Sequence, residues 1–242
     1  MIPLRDTAPR KGLPVVLWTL IALNCLVFWF EESLPGPALH RFIELYALVP
    51  ARYTLPEWAA ASGLQAHSYW PFLTYMFIHG GWLHIAGNMW FLWIFGDNVE
   101  DRVGHLRFLI FYLLCGIGAA LFYVLLKPGS MLPALGASGA ISGVMGAYIL
   151  LYPRARVLTL VPVFILPLLV EIPAVVFLGV WFLFQFLAGT FSLVTPHVEG
   201  GVAWWAHIGG FVLGMVLLPL LTRSARESAR PLSDEHLSHR WS

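Results

Sequence analysis

The sequence predicts an all-α, polytopic membrane protein with six transmembrane helices and an interfacial first external loop. Hydrophobic residues make up 59% of the 242 residues and charged residues only 11%, which is not the composition of a soluble globular domain. Six segments approach the roughly 20 apolar residues that cross a bilayer. The basic residues are concentrated in alternate loops, as expected when Lys and Arg stay on the cytoplasmic side.

The predicted helices divide the chain into three parts. The first 13 residues form a cytoplasmic segment, residues 14–222 form the membrane domain, and residues 223–242 form a polar cytoplasmic tail. The six predicted spans cover residues 14–30, 81–96, 106–126, 137–152, 172–190 and 204–222. With both termini inside, eleven of the 14 Lys and Arg residues are cytoplasmic, which favours six helices over five or seven. The chain is therefore expected to be an integral, multi-pass membrane protein with both termini on the cytoplasmic side.

The first span is interpreted as an uncleaved helix. Arg5, Arg10 and Lys11 precede it, as basic residues precede a secretory signal. However, its apolar run is too long for a signal peptide, and residues 31–35 offer no small-residue cleavage site.

Two regions depart from a simple alternation of spans and loops. The first external loop, residues 31–78, is rich in Pro, Ala and aromatic residues, so we expect it to lie in the lipid interface. Residues 157–170 are also apolar, but Pro162 and Pro167 interrupt them, which predicts a surface or re-entrant piece. Glu171 then precedes the fifth span as a helix-start residue with a structural role.

The fourth span is too short to cross the bilayer from face to face. From Ala137 to Tyr152, before Pro153 stops it, this span is roughly 24 Å long, against a hydrocarbon core of roughly 30 Å. If Arg154 and Arg156 anchor its cytoplasmic end, Ser138 begins below the outer surface. Non-helical backbone at that depth is tolerated only in a protein interior or beside water, so the sequence predicts a cavity next to Ser138.

Glycines on the fourth and sixth spans predict close packing between these two helices. Gly139, Gly143 and Gly146 form one small-residue stripe, and Gly210 and Gly214 form another. Since His207 lies one turn before Gly210, facing stripes would bring its imidazole to the Ser138 hydroxyl. That pairing activates a serine nucleophile, although a membrane serine beside glycine is, taken alone, more often a packing residue, and a lone histidine is similarly ambiguous.

The start of the second span carries a further polar pair. His84 and Asn88 are four residues apart and share one helical face. Two such donors, with the backbone N–H of Ser138, would suit an oxyanion. The same residues would also suit hydrogen bonds that tie helices together.

Three motifs resemble those of the rhomboid intramembrane serine proteases. HGGWLHIAGN lies on the second span, GASGAISG on the fourth and AHIGGFVLG on the sixth. The resemblance covers residues 14–222. It implies that Ser138 is the nucleophile and His207 the general base of a dyad, that His84 and Asn88 stabilise the oxyanion, and that His79, Gly136, Gly139, Gly210 and Gly214 support the site.

The resemblance implies hydrolysis of single-span membrane proteins within the bilayer, without a metal or other cofactor. Two positions depart from the family pattern: Trp70-Pro71 stands where many members have Trp-Arg, and Ser142 where many have an aromatic residue that stacks on the histidine. The holder of His207 is therefore left open.

Other functions fit the sequence less well. The His-Glu-x-x-His signature of a zinc protease is absent, and the acidic residues Asp97, Glu100 and Asp101 cluster at one helix end rather than in pairs inside the membrane. A net charge of +1 gives no indication of a nucleic-acid partner. The main alternative is a catalytically silent rhomboid-like protein that binds or escorts membrane clients.

Overall fold

The computed structural model describes residues 1–163, 166–194 and 203–228. Most of the predicted polar tail therefore lies outside the described residues. Ten helices are present in these ranges: α1 (Val15–Ser33), α2 (Gly36–Tyr46), α3 (Ala51–Thr54), α4 (Pro56–Ala61), α5 (Pro71–Thr74), α6 (Trp82–Val103), α7 (His105–Leu126), α8 (Ser138–Leu151), α9 (Ala174–Val194) and α10 (Trp204–Ser228). A single 3-10 turn, Tyr75–Phe77, follows α5.

All six predicted spans are helices, namely α1 and α6 to α10. Among the described residues, α1, α7, α9 and α10 are each long and apolar enough to cross a membrane by themselves. α8 is shorter, at 14 residues, and α6 continues past its apolar part into the polar residues 97–103. The chain is thus an integral membrane protein built as a polytopic helical bundle.

The short helix α8 is the centre of this bundle. All ten residues from Gly139 to Tyr148 are buried, because α6, α7, α9 and α10 all pack against it. Large aromatic side chains fill the surrounding core, among them Phe95, Tyr112 and Phe177. A helix that is apolar on every face is expected in a protein interior or in contact with lipid, and α8 is covered by its neighbouring helices.

Close approach of α8 and α10 depends on their glycines. A Cβ at Gly210 would lie 2.0 Å from the carbonyl oxygen of Gly139, and one at Gly214 would lie 2.0 Å from that of Gly143. Gly146 faces the backbone of Phe211 in the same way, at 2.1 Å. The two predicted stripes therefore face one another, and any side chain larger than hydrogen would push the helices apart.

A three-stranded antiparallel sheet accompanies the helices, and it was not expected from the sequence. β1 (Ile2–Asp6) pairs with β2 (Arg156–Val163), which pairs with β3 (Leu166–Pro173). Leu158 lies opposite Glu171 in the β2–β3 pair. The predicted surface or re-entrant piece is thus a β-hairpin, and Glu171 belongs to its second strand, where it contacts Arg156 at 3.4 Å.

The N-terminal segment is joined to the bundle through this sheet. The indole N–H of Trp90 on α6 donates to the carbonyl of Pro3 at 2.6 Å. The hydroxyl of Tyr148 on α8 donates to the carboxylate of Asp6. Burial raises the pKa of Asp6 above its ordinary value of 3.8, against the opposing effect of that hydrogen bond.

At the same end of the bundle, α6 caps the start of α1. The carboxylate of Glu100 accepts the backbone N–H groups of Val16 and Leu17 at 2.9 and 2.7 Å. Because the first N–H groups of a helix have no partner within that helix, a carboxylate there satisfies them and complements the helix dipole.

The segment predicted to be the first external loop is folded into α2 to α5 rather than being extended chain. Arg52, only 2% exposed, donates to the carbonyl of Gln65 at 3.0 Å and to that of Leu45 at 2.8 Å. Burial lowers the pKa of Arg52. Arg52 thus connects separate parts of this loop by hydrogen bonds. At the position where many rhomboid proteases have Trp-Arg, this chain has an exposed Trp70, and Pro71 begins α5.

Candidate active site

The structure brings Ser138 and His207 into direct contact. His207 Nε2 lies 2.7 Å from Ser138 Oγ, within hydrogen-bond distance. Ser138 is the first residue of α8, and His207 lies in the first turn of α10. The glycine contacts between these two helices set the distance at which the two side chains meet.

A sharp turn delivers Ser138 to the start of its helix. Gly136 has a φ of +115°, which non-glycine residues rarely adopt. Its backbone N–H donates to the carbonyl of Tyr75 at 2.9 Å. A Cβ at this glycine would lie 2.6 Å from His84 Nε2 and 3.3 Å from Asn88 Nδ2, so both the conformation and the space require glycine.

The same contacts place His84 and Asn88 beside the serine. Asn88 is 7% exposed, and among the described residues its Nδ2 has no hydrogen-bond partner. A buried donor without a partner is unusual in folded proteins. Its position next to Gly136 makes this N–H₂ available to an oxygen that enters beside Ser138.

The protonation of His84 follows from its other contact. The backbone N–H of Gly80 donates to His84 Nδ1 at 3.3 Å. In a neutral imidazole the second nitrogen then carries the proton. Nε2 of His84 therefore presents an N–H toward the backbone that precedes Ser138.

The predicted supporting residue His79 packs on the ring of His84, with ring centroids 5.2 Å apart and planes at 70°. Its backbone N–H donates to the carboxylate of Glu31 at 3.2 and 3.3 Å. Glu31, at the end of α1, is only 1% exposed. Glu31 was not among the site residues expected from the sequence; the signal that could have indicated it is a carboxylate at the end of an apolar span.

The structure also shows what holds His207. Its Nδ1 lies 2.7 Å from Oε1 of Gln185 on α9. The indoles of Trp181 and Trp204 lie 6.1 and 6.3 Å from its ring centre. Ser142 takes no part in this, because its hydroxyl donates to the carbonyl of Ser138 at 2.6 Å.

These side chains surround one cavity of about 400 Å³, as the short fourth span predicted. None of the described lining residues is acidic, lysine or arginine. They are Leu83, His84, Gly87, Asn88, Phe91, Leu135, Ser138, Ile141, Met145, Trp181, Gln185, Ala203, Trp204 and His207. A mostly apolar pocket with a few convergent polar groups is typical of a site that binds and orients a ligand.

Comparison with known proteins identifies the family. The rhomboid domain model matches residues 66–224. The chain belongs to the rhomboid family. That match includes the Ser138 and His207 motifs as well as α6 with His84 and Asn88.

Curated relatives include proteins from organelles and from a bacterium. The chain is 25% identical over 206 residues to Rhomboid protein 1, mitochondrial, of Saccharomyces cerevisiae, covering 83% of this chain and 51% of that protein. It is 31% identical to Rhomboid-like protein 11, chloroplastic, of Arabidopsis thaliana, covering 64% and 54%. It is 32% identical to Rhomboid protease GluP of Bacillus subtilis, covering 57% and 25%. The chain spans about half the length or less of these relatives.

Proposed function

We propose that this rhomboid protein is an intramembrane serine endopeptidase that cleaves the transmembrane segments of single-span membrane proteins. The observation that carries the proposal is the 2.7 Å contact between His207 Nε2 and Ser138 Oγ, at a cavity beside the unpartnered Nδ2 of Asn88. The family membership and the printed name of the Bacillus subtilis relative support it.

In the proposed reaction, Ser138 Oγ attacks the carbonyl carbon of the scissile peptide bond while His207 Nε2 takes the hydroxyl proton. The carbonyl oxygen gains negative charge and accepts hydrogen bonds from Asn88 Nδ2, His84 Nε2 and the backbone N–H of Ser138. That backbone N–H is free to donate because it belongs to the first residue of α8.

Collapse of the tetrahedral intermediate breaks the peptide C–N bond, and His207 gives its proton to the leaving amine. Ser138 is then esterified by the N-terminal product. Water, deprotonated by His207, attacks the ester, and the returning proton restores the serine hydroxyl. The described cavity lining offers these groups and no other nucleophile that contacts a base.

The proposed substrates follow from the shape and surroundings of the site. A peptide bond in an intact helix is closed to attack, so substrate segments with small residues or helix breakers should unwind into the cavity most readily. Under the same proposal, the chain lies in a bacterial cytoplasmic membrane with both termini inside.

A cleavage assay in proteoliposomes tests the proposal. The purified chain is reconstituted with tagged single-span substrates, and products are read by gel and mass spectrometry. We expect cut substrate with the unchanged protein and none with Ser138→Ala. Ser142→Ala is the matched control, because that serine lies one turn further along α8 and bonds only to backbone; it should retain cleavage. Binding of substrate without any cleavage would favour the client-binding alternative instead.

A further inference from the structure

Gln185 is the polar side chain through which α9 contacts the catalytic pair. It is 5% exposed, on a helix whose neighbouring residues Phe184 and Phe186 are exposed and apolar. Burying an amide inside an apolar bundle is costly unless it makes a hydrogen bond. Its Oε1 makes that bond with His207 Nδ1 at 2.7 Å.

The other nitrogen of His207 determines what this contact does. For Nε2 to accept the Ser138 proton, Nε2 must be the unprotonated nitrogen of a neutral imidazole. The ring proton must then reside on Nδ1. The amide oxygen of Gln185 accepts that N–H, which selects the reactive tautomer and keeps the ring directed at Ser138.

We propose that Gln185 is a positioning residue for His207, so that the working unit is Ser138, His207 and Gln185 rather than a serine and histidine alone. This inference rests on the proposed function. It assigns to an uncharged amide the orienting role that an aspartate has in the Ser-His-Asp arrangement.

Packing around Gln185 supports a fixed geometry. Phe182, one turn earlier on α9, lies 4.9 Å from Phe211 of α10 between ring centres. A Cβ at Gly189, one turn later, would lie 3.4 Å from Ile208. Contacts on both sides therefore hold α9 against α10 at the level of the amide.

The position of Gln185 also ties the base to a third helix. Ser138 belongs to α8 and His207 to α10, whereas Gln185 belongs to α9. Movement of α9 away from α10 by about 1 Å would lengthen the 2.7 Å bond beyond hydrogen-bond range. The reactive tautomer of His207 thus depends on the position of α9 relative to α10.

Two substitutions of similar volume separate positioning from packing. Gln185→Met fills the space but replaces the amide oxygen by a thioether, which is only a weak hydrogen-bond acceptor, whereas Gln185→Glu retains an oxygen acceptor. If Gln185 positions His207, kcat should fall about tenfold in Gln185→Met with KM little changed, and Gln185→Glu should stay closer to the unchanged protein. If Gln185 only packs, the order is reversed, since methionine suits an apolar site and a carboxylate does not.

The pH–rate profile and the imidazole itself supply a second readout. A carboxylate at this position stabilises the imidazolium, so Gln185→Glu should move the acid limb of the profile to higher pH. Nuclear magnetic resonance of ¹⁵N-histidine protein, with His207→Ala to assign the signal, should show the Nδ1–H tautomer in the unchanged protein and a mixture in Gln185→Met.

The kinetic and NMR measurements together distinguish failure of the role of Gln185 from failure of the proposed function. An inactive but folded wild-type protein with the Nδ1–H tautomer would overturn the protease proposal and leave the role of Gln185 standing. Equal kcat and an unchanged tautomer in Gln185→Met would overturn the role of Gln185 alone.

Discussion

A single methyl group placed between α8 and α10 should disable the site from a distance. Gly214 lies two turns beyond His207 on α10, far from the reacting atoms. In Gly214→Ala the new Cβ would lie 2.0 Å from the carbonyl oxygen of Gly143, whereas real Cβ contacts essentially never fall below 3.0 Å. The two backbones must therefore separate by about 1 Å.

That separation is large compared with the tolerance of the proposed catalytic pair, Ser138 and His207. Carried along α10, it would stretch the distance between His207 Nε2 and Ser138 Oγ from 2.7 Å to about 3.7 Å, which is no longer a hydrogen bond. Misplacement by about 1 Å typically costs roughly 100-fold in rate. Overpacking should also lower the free energy of unfolding by about 1–3 kcal/mol.

The assay compares kcat/KM in proteoliposomes with thermal unfolding of the same preparations. Gly179→Ala on α9 is the matched control, because a Cβ there meets no atom within 4 Å; it should keep both rate and stability. We expect Gly214→Ala to be folded and about 100-fold slower. Wild-type cleavage by Gly214→Ala would refute the argument that glycine packing sets the catalytic distance.

Three further predictions concern a proposed oxyanion donor, the predicted first external loop and the sheet. Asn88→Ala should lower kcat by about 100- to 1000-fold, with KM little changed; an unaltered rate in the cleavage assay would remove Asn88 from the mechanism. Arg52→Met should speed proteolysis of the predicted first external loop and lower the free energy of unfolding by about 1–3 kcal/mol, because the carbonyls of Gln65 and Leu45 lose a charged donor; equal protease resistance would contradict this connecting role of Arg52. Because burial raises the pKa of Asp6, ionising this carboxyl costs stability as pH rises above its ordinary value of 3.8. Asp6→Asn should therefore gain stability relative to the unchanged protein between pH 4 and pH 7, and a difference in unfolding midpoint that does not vary with pH would show that Asp6 titrates normally.

The helices could be predicted from sequence because their signal is local. An apolar run of the right length and its flanking turn residues lie within one segment, so the six predicted spans agree with α1 and α6 to α10 to within a few residues at most ends. The end of α6 differs more, because the polar residues 97–103 continue the helix beyond its apolar part. In this extension the carboxylate of Glu100 accepts the backbone N–H of Leu17 in α1. Hydropathy does not reveal such a contact between two helices.

The sheet could not be predicted in the same way. β2 and β3 lack the alternation of apolar and polar residues that marks a half-buried strand. β1 pairs with a strand about 150 residues further along the chain, with Ile2 opposite Leu160. A pairing at that separation depends on the assembled bundle and leaves no pattern in either segment.

In the candidate site too, features within one segment could be predicted from the sequence, whereas contacts between helices could not. The spacing of His84 and Asn88 on one helix, and the glycines near Ser138 and His207, are local patterns. Contacts between helices are not local patterns in the sequence. The hydrogen bond between Gln185 of α9 and His207 of α10 is therefore evident only in the folded chain.

Active-site labelling tests the central claim, that Ser138 is a nucleophile activated by His207. The reconstituted protein is treated with a fluorophosphonate, and the modified residue is mapped by mass spectrometry in the unchanged protein and in His207→Ala. We expect a covalent adduct on Ser138 that forms roughly 100-fold more slowly, or slower still, in His207→Ala. No adduct in the folded protein, or one that forms equally fast without His207, would contradict activation of Ser138 by His207.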